Sequence, residues 1–299
     1  MLTIDPKEQK VSAVHQYLLH AVAPRPIAFV STVDKDGHPN LSPFSFFNVF
    51  SANPPVAIFS PARSGRTGAT KNTFDNAKET GECVINVVNY ALVQQASLSS
   101  TEYPKGVNEF VKAGLTEEPS KLVRAPRVKE SPVQLECKVR EVIELGQQGG
   151  AGNLVICEVL LIHVDEKVLG EDNMIDQHKI DLVGRLGGDW YCRVSGNALF
   201  KVAKPLLTIG MGVDSLPERI RLSNVLTGNH LGQLGNTEQL PQSEEVISYR
   251  NSGAIGEAFQ DYSGNRAKLE EHLHHIAARL LDEGKVNEAW KVLLAAELH

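Results

Sequence analysis

From Ser131 to Leu169 the chain runs through two long segments rich in β-branched residues, SPVQLECKVREVIEL and NLVICEVLLIHVDEKVL, with only GQQGGAG between them. A loop that short holds no crossover helix, so the segments must pair antiparallel. Its glycines invite comparison with a dinucleotide-binding turn, but that fingerprint needs a helix after the glycines, and here a strand follows. The clusters GRLGGDWY and IGMGVD have the wrong spacing as well. A Rossmann domain is therefore not expected.

The upstream chain reads the same way. PIAFVSTV, Pro26 to Val33, is followed by the turn DKDGHP and then by NLSPFSFFNVF, Asn40 to Phe50, which predicts a hairpin. PVAIFS is a further strand, announced by the breaker ANPP. In KNTFDNAKETG, Asn72 and Asp75 resemble a capping box and Gly81 suits a helix end, which predicts a short helix from about Asn72. ECVINVVN is strand-like, YALVQQASLSS helical, and Thr101 to Pro119 reads as irregular. Strands that mostly follow strands predict a mainly β protein with some α (α+β), built as an antiparallel barrel.

The last hundred residues change character. Leu269, Leu273, Ile276 and Leu280 recur at helical spacing, and NEAWKVLLAAEL adds a second amphipathic run after a break at Gly284. The expected division is a barrel domain over 1–195 and a largely helical extension over 196–299, with mixed helix and loop from Ile209 to Asn236. A formal net charge of -6 argues against nucleic-acid and anionic-membrane partners, which need a concentrated basic face. No apolar run is long enough to span a bilayer, and the expected location is the cytoplasm. Cys83, Cys137, Cys157 and Cys192 lie in apolar segments without any C-x-x-C and read as reduced core residues. No nucleophile elbow, H-E-x-x-H or P-loop is present. The histidines His272, His274 and His275 lack a ligand pattern and read as a polar helix surface, so no metal is expected.

One junction carries chemistry. Lys71, Asn72 and Thr73 open the predicted helix after a loop that holds Arg63 and Arg66, and free amides at a helix start beside cations suit a phosphate. Taken alone, the same residues equally describe a solvated cap. Upstream, NLSPFSFFNVF places Asn40, Ser42, Ser45 and Asn48 among phenylalanines.

The order and spacing of PRPIA, N-x-S-P-F-S-F-F, NPP, K-x-T and NEF, from about Pro24 to about Val194, resemble the flavin-reductase-like, FMN-binding split-barrel family. That family includes flavoredoxins and the reductase components of two-component monooxygenases. The resemblance implies an antiparallel split barrel of Greek-key type that binds FMN. It implies that Asn40, Ser42 and Ser45, with Ser60, meet the polar edge of the flavin ring, while Asn48 better satisfies local backbone. Lys71 and Thr73 carry over as phosphate ligands, with Asn72 where the family often has Asp. Arg25 and Pro26 lie beside the flavin in look-alikes, although an arginine there equally makes a structural ion pair. Either Ser31 or Thr32 faces ring or phosphate.

Glu109 and Phe110 belong by resemblance to a loop that approaches the flavin of a neighbouring subunit, because family members are dimers with the cofactor at the interface. His163, Arg185 and Tyr191 shape the nicotinamide or substrate side, against the commoner structural role of a lone histidine. The implied function is an FMN-binding oxidoreductase that uses NAD(P)H to reduce flavin or another small acceptor. Flavin does the hydride chemistry, so no protein acid or base is required and no catalytic residue is assigned. The rival readings are an FMN-binding electron carrier or flavin reservoir, and an oxidase of the pyridoxamine-phosphate type. A monooxygenase is a further expected partner, and the extension either covers the partner's barrel, caps the pocket or docks that monooxygenase.

Overall fold

The computed structural model describes residues 1–205, 209–253 and 255–297. The chain divides into two compact units, Met1–Phe200 and Lys201–His299.

The first unit begins with helix α1 (Val11–Ala21) and is then dominated by strands. β1 (Ala28–Val33), β2 (Pro39–Phe44), β3 (Phe47–Ala52) and β4 (Pro55–Phe59) precede helix α2 (Asn72–Thr80). β5 (Glu82–Val87), α3 (Val93–Leu98), α4 (Glu109–Ala113) and the short pair β6 (Glu117–Glu118) and β7 (Arg127–Val128) follow. The long hairpin read from the sequence is β8 (Val133–Glu144) with β9 (Asn153–Val164), in register from Val133 opposite Val164 to Glu144 opposite Asn153. A small hairpin of β10 (Val183–Arg185) and β11 (Tyr191–Arg193) closes the unit.

Seven strands form one antiparallel sheet in the order β2-β1-β5-β8-β9-β4-β3. Its two margins, β2 and β3, are successive in the chain, joined only through Ser45 and Phe46. A link that short forces the sheet to curl until its margins nearly meet. The rings of Phe44 on β2 and Phe59 on β4 accordingly lie 5.5 Å apart. The result is a split barrel, the architecture expected. One expectation is corrected: NLSPFSFFNVF is not one strand of a hairpin but two, whose halves belong to opposite margins.

Alternation along the strands fills the barrel. Ala28, Val30, Ala57, Phe59, Cys83, Ile85, Cys137, Val155 and Cys157 are buried together, with Ala77 of α2 among them. All four cysteines are free thiols, and the sulfurs of Cys83 and Cys157 are 3.7 Å apart. α2 packs on β1, β2, β8 and β9 and so stoppers one mouth of the barrel. Gly81 ends this helix with φ 73°, a conformation free of strain only without a side chain. The expected capping box does not form. Lys71 takes the cap position without a side-chain capping hydrogen bond, and Asp75 instead accepts from the Thr70 hydroxyl at 2.9 Å. The segment read as irregular contains α4, started by the Asn108 side chain, which accepts the Phe110 N–H at 2.9 Å.

The second unit is helical: α5 (Glu218–Arg221), α6 (Gly228–Gly235), α7 (Ser243–Arg250), α8 (Gly256–Asp261), α9 (Arg266–Asp282) and α10 (Val286–Ala295). Its core gathers Leu273, Ala277, Leu281, Trp290 and Leu293, with Leu269, Ile276 and Leu280 packed against it, as their spacing requires. Leu298, the end of the second apolar run, lies outside the described residues. His274 departs from the expected polar surface. It is buried, its Nδ1 lies 2.8 Å from the Ser223 hydroxyl, and burial lowers its pKa.

Candidate functional site

The loop from β4 to α2 is held against the β8–β9 turn. Arg63 N–H donates to Ala151 O at 2.9 Å, and Gly150 N–H returns to Arg63 O at 3.1 Å. Gly149 faces this loop so closely that a Cβ there would stand 2.9 Å from Ser64 O. Arg63 itself is spent on structure: its guanidinium donates to Glu144 at 2.8 Å and to Gly68 O at 3.1 Å. Lys78 also bonds Glu144, at 2.9 Å, and hydrogen bonds from Lys78, Gln147 and Arg63 hold that carboxyl at about 2.

The loop delivers Arg66 and Lys71 to the first turn of α2. Among the described residues, the N–H groups of Asn72 and Thr73 donate to no protein acceptor, as expected for a helix start without a side-chain cap. Lys71 Nζ lies 2.7 Å from Glu102 Oε1, and Arg66 Nη2 lies 2.9 Å from Glu102 Oε2. The hydrogen bond from Lys71, more than any other contact, holds the Glu102 carboxyl below the usual range.

Beneath this turn lies a buried polar network. Asn40 Nδ2 donates to Thr73 Oγ1 at 2.8 Å and to Thr32 Oγ1 at 3.4 Å, and Asn76 Nδ2 reaches Thr32 Oγ1 at 3.1 Å. Thr32 is 0 %, Thr73 1 % and Asn40 8 % exposed. In this arrangement their side chains bond one another, and what Thr73 presents to a ligand at the helix start is its backbone N–H. Ser31, on the opposite face of β1, donates to Pro126 O. Arg25 is buried, and among the described residues its guanidinium makes hydrogen bonds in place of the structural ion pair that was one expectation. It donates to Leu19 O and Val22 O at the end of α1, to Leu186 O, and to Ser45 Oγ at 3.3 Å.

Other residues stay accessible. Ser42, Ser45 and Ser60 are half-buried, and Pro26 is exposed. Ser45 lies in the link between the margins. Ser60 N–H bonds Phe46 O at 2.8 Å, and Ser60 Oγ accepts Asn153 N–H at 3.2 Å. These serines thus border the seam. Asn48 serves local backbone, accepting the Val49 N–H at 2.8 Å.

The outer candidates scatter. Phe110 is fully buried with Phe29 and Leu41. Glu109 is also buried, accepts Leu41 N–H at 3.1 Å, and has its pKa raised by that burial. His163 Nε2 lies 2.7 Å from buried Glu136, a structural pairing. Arg185 stacks on Tyr191, 4.5 Å from the ring centre, at the β10–β11 hairpin.

Residues 20–181 match the flavin reductase like domain. The chain belongs to the flavin reductase-like family. An uncharacterized protein of Aquifex aeolicus is 40% identical over 197 residues, which cover 66% of this chain and 97% of that one. Nitrilotriacetate monooxygenase component B from Bacillus cereus superposes with a TM-score of 0.63 at 32% identity, over 68% of this chain and 98% of its own. A protein of Shewanella frigidimarina NCIMB 400, described with a split barrel domain, gives 0.58 at 28% identity over 68% of this chain and 100% of its own. The flavin reductase-like match ends well before the helical unit. Among the described residues no helix is long and apolar enough to cross a membrane.

Membership makes this chain a flavoprotein-type oxidoreductase at the coarse level, and the residues present suit a phosphorylated flavin. Open amides and two cations meet at the α2 start, and half-buried hydroxyls border the seam. Sequence reasoning missed Glu102, because an irregular loop carries no periodic signal. It named Arg66 but not its pairing.

Proposed function

We propose that this flavin reductase-like protein binds FMN and passes reducing equivalents from NAD(P)H to flavin or another small acceptor. The supporting observation is the junction at the α2 start, where unpaired Asn72 and Thr73 amides stand beside Lys71 and Arg66 at one mouth of the barrel. Such an end attracts a dianion. Lys71 with the amides of Asn72 and Thr73 would hold the phosphate, and Ser42, Ser45 and Ser60 would meet the polar edge of the ring. When bound, FMN supplies the hydride-accepting chemistry. The chain's own groups bind the cofactor, orient it and keep water from it; Arg25, buried behind Ser45, fixes that hydroxyl in place. Pro26, Arg185 and Tyr191 are accessible enough to border the nicotinamide.

Two partners belong to the same proposal. Exposed Val49 and Phe50 on β3 and Leu160 and Ile162 on β9 suit a homodimer interface. The likeness to a monooxygenase component supports a monooxygenase as acceptor of the reduced flavin. Four free thiols fit a cytoplasmic setting.

The test is an absorbance spectrum of the purified chain with FMN, followed by steady-state oxidation of NADH and NADPH with added FMN or FAD. Rapid nucleotide consumption supports the reading. A yellow protein that neither nucleotide reduces is the carrier instead, and a colourless protein that takes no FMN refutes both.

A further inference from the structure

Both cations at the start of α2 are already in use. Lys71 and Arg66 meet the same carboxylate, Glu102, through different oxygens at 2.7 and 2.9 Å. Glu102 therefore stands between them as a small planar anion would. It comes from the loop between α3 and α4, and that loop is pinned on either side. The Thr101 hydroxyl donates to Leu98 O at 2.8 Å, and the Tyr103 ring lies under Lys112 Nζ at 5.7 Å. Among the described residues the carboxylate takes part in no backbone cap and no core packing, and its side chain is 53% exposed. Exposed ion pairs contribute little to stability, so the fold does not explain this arrangement.

Resting on the FMN reading above, we propose that Glu102 is a tethered competitor for the flavin phosphate, making FMN an exchanging ligand rather than a permanently held one. A tethered group acts at an effective concentration in the millimolar range. The phosphate brings nearly two charges and three acceptor oxygens, and it also takes the Asn72 and Thr73 amides, which Glu102 does not touch. It therefore displaces the carboxylate, with affinity reduced by the contest. Riboflavin has no phosphate and does not enter that contest. Because Lys71 and Arg66 keep the Glu102 carboxyl below the usual range, the competitor stays charged at neutral pH.

The test compares wild type and Glu102→Gln of the full chain, titrated with FMN and separately with riboflavin by fluorescence quenching. Glutamine keeps the shape and removes the charge, and the exposed site leaves folding intact. The expected result is an FMN dissociation constant about three- to tenfold lower in the variant, with slower FMN release and unchanged riboflavin affinity. Unchanged or weaker FMN binding in the variant, where wild type does bind FMN, overturns this inference alone. A gain shared equally by riboflavin also overturns it, because the effect would not pass through the phosphate. If wild type binds neither flavin, the FMN reading falls and this inference with it.

Discussion

The side-chain amide of Asn40 on β2 donates to the hydroxyl of Thr73 on α2 across 2.8 Å. One directional bond thus ties a margin of the sheet to the first turn of the helix that carries the open amides. Thr32 and Asn76 complete the tie. Asn40→Ala leaves buried hydroxyls short of partners, at a cost of about 1–3 kcal/mol by urea denaturation. FMN affinity should fall with it, since the amide end loses its register on the barrel. A stable variant with intact binding would show that apolar packing alone positions α2.

Lys71 is the more direct probe of the phosphate. Lys71→Gln should weaken FMN roughly 5- to 30-fold, the loss of one charge-assisted contact at a half-exposed site. Riboflavin should bind within about twofold of wild type. Equal losses for both flavins in fluorescence titrations would place Lys71 away from the phosphate.

Gly149 and Gly65 form a matched pair. A Cβ on Gly149 would meet backbone oxygens of Ser64 and Gly65 at 2.9 and 3.0 Å, whereas one on Gly65 meets nothing within 4 Å among the described residues. Gly149→Ala must push the loop off the β8–β9 turn, for about 1–3 kcal/mol in thermal or chemical denaturation. Gly65→Ala should stay within about 0.5 kcal/mol. Equal behaviour of the two would mean that the loop yields without cost.

Glu109 predicts a pH dependence. Burial raises its carboxyl pKa, so its contribution to stability is complete below the ordinary glutamate value of about 4.3 and is lost as pH rises through the folded value. Glu109→Gln keeps an acceptor for Leu41 N–H and cannot ionise. Its melting temperature relative to wild type should be level at low pH, climb above about pH 4.3, and then level off. A difference that does not vary with pH would show that Glu109 ionises in the fold without penalty.

The long β8–β9 hairpin was legible because loop length and strand composition agree, and Gly81 and the Leu269–Leu280 spacing marked helices for the same local reasons. NLSPFSFFNVF was not. Both sides of Ser45–Phe46 favour a strand, and only closure of the sheet decides that each half joins a different margin. The candidate site was half legible. Asn40 was expected at the ring edge, Thr73 at the phosphate and Thr32 at either, yet composition does not distinguish side chains that bond a ligand from side chains that bond each other. Glu102 approaches Lys71 from 31 positions away along a loop without pattern. For Phe110 a motif names only a neighbourhood, whereas packing on Phe29 and Leu41 sets which way the ring turns.

The adjacency of β2 and β3 along the chain also bears on how the barrel assembles. β1 with β2, and β3 with β4, are local ribbons with little loop-closure entropy to overcome, while β4 must find β9 about a hundred positions later. The two ribbons are expected to form first, tethered like covers on a spine at Ser45–Phe46. The slow event is then the insertion of β5, β8 and β9 between them, so core substitutions on β9 should retard refolding more than equally destabilising ones on β3.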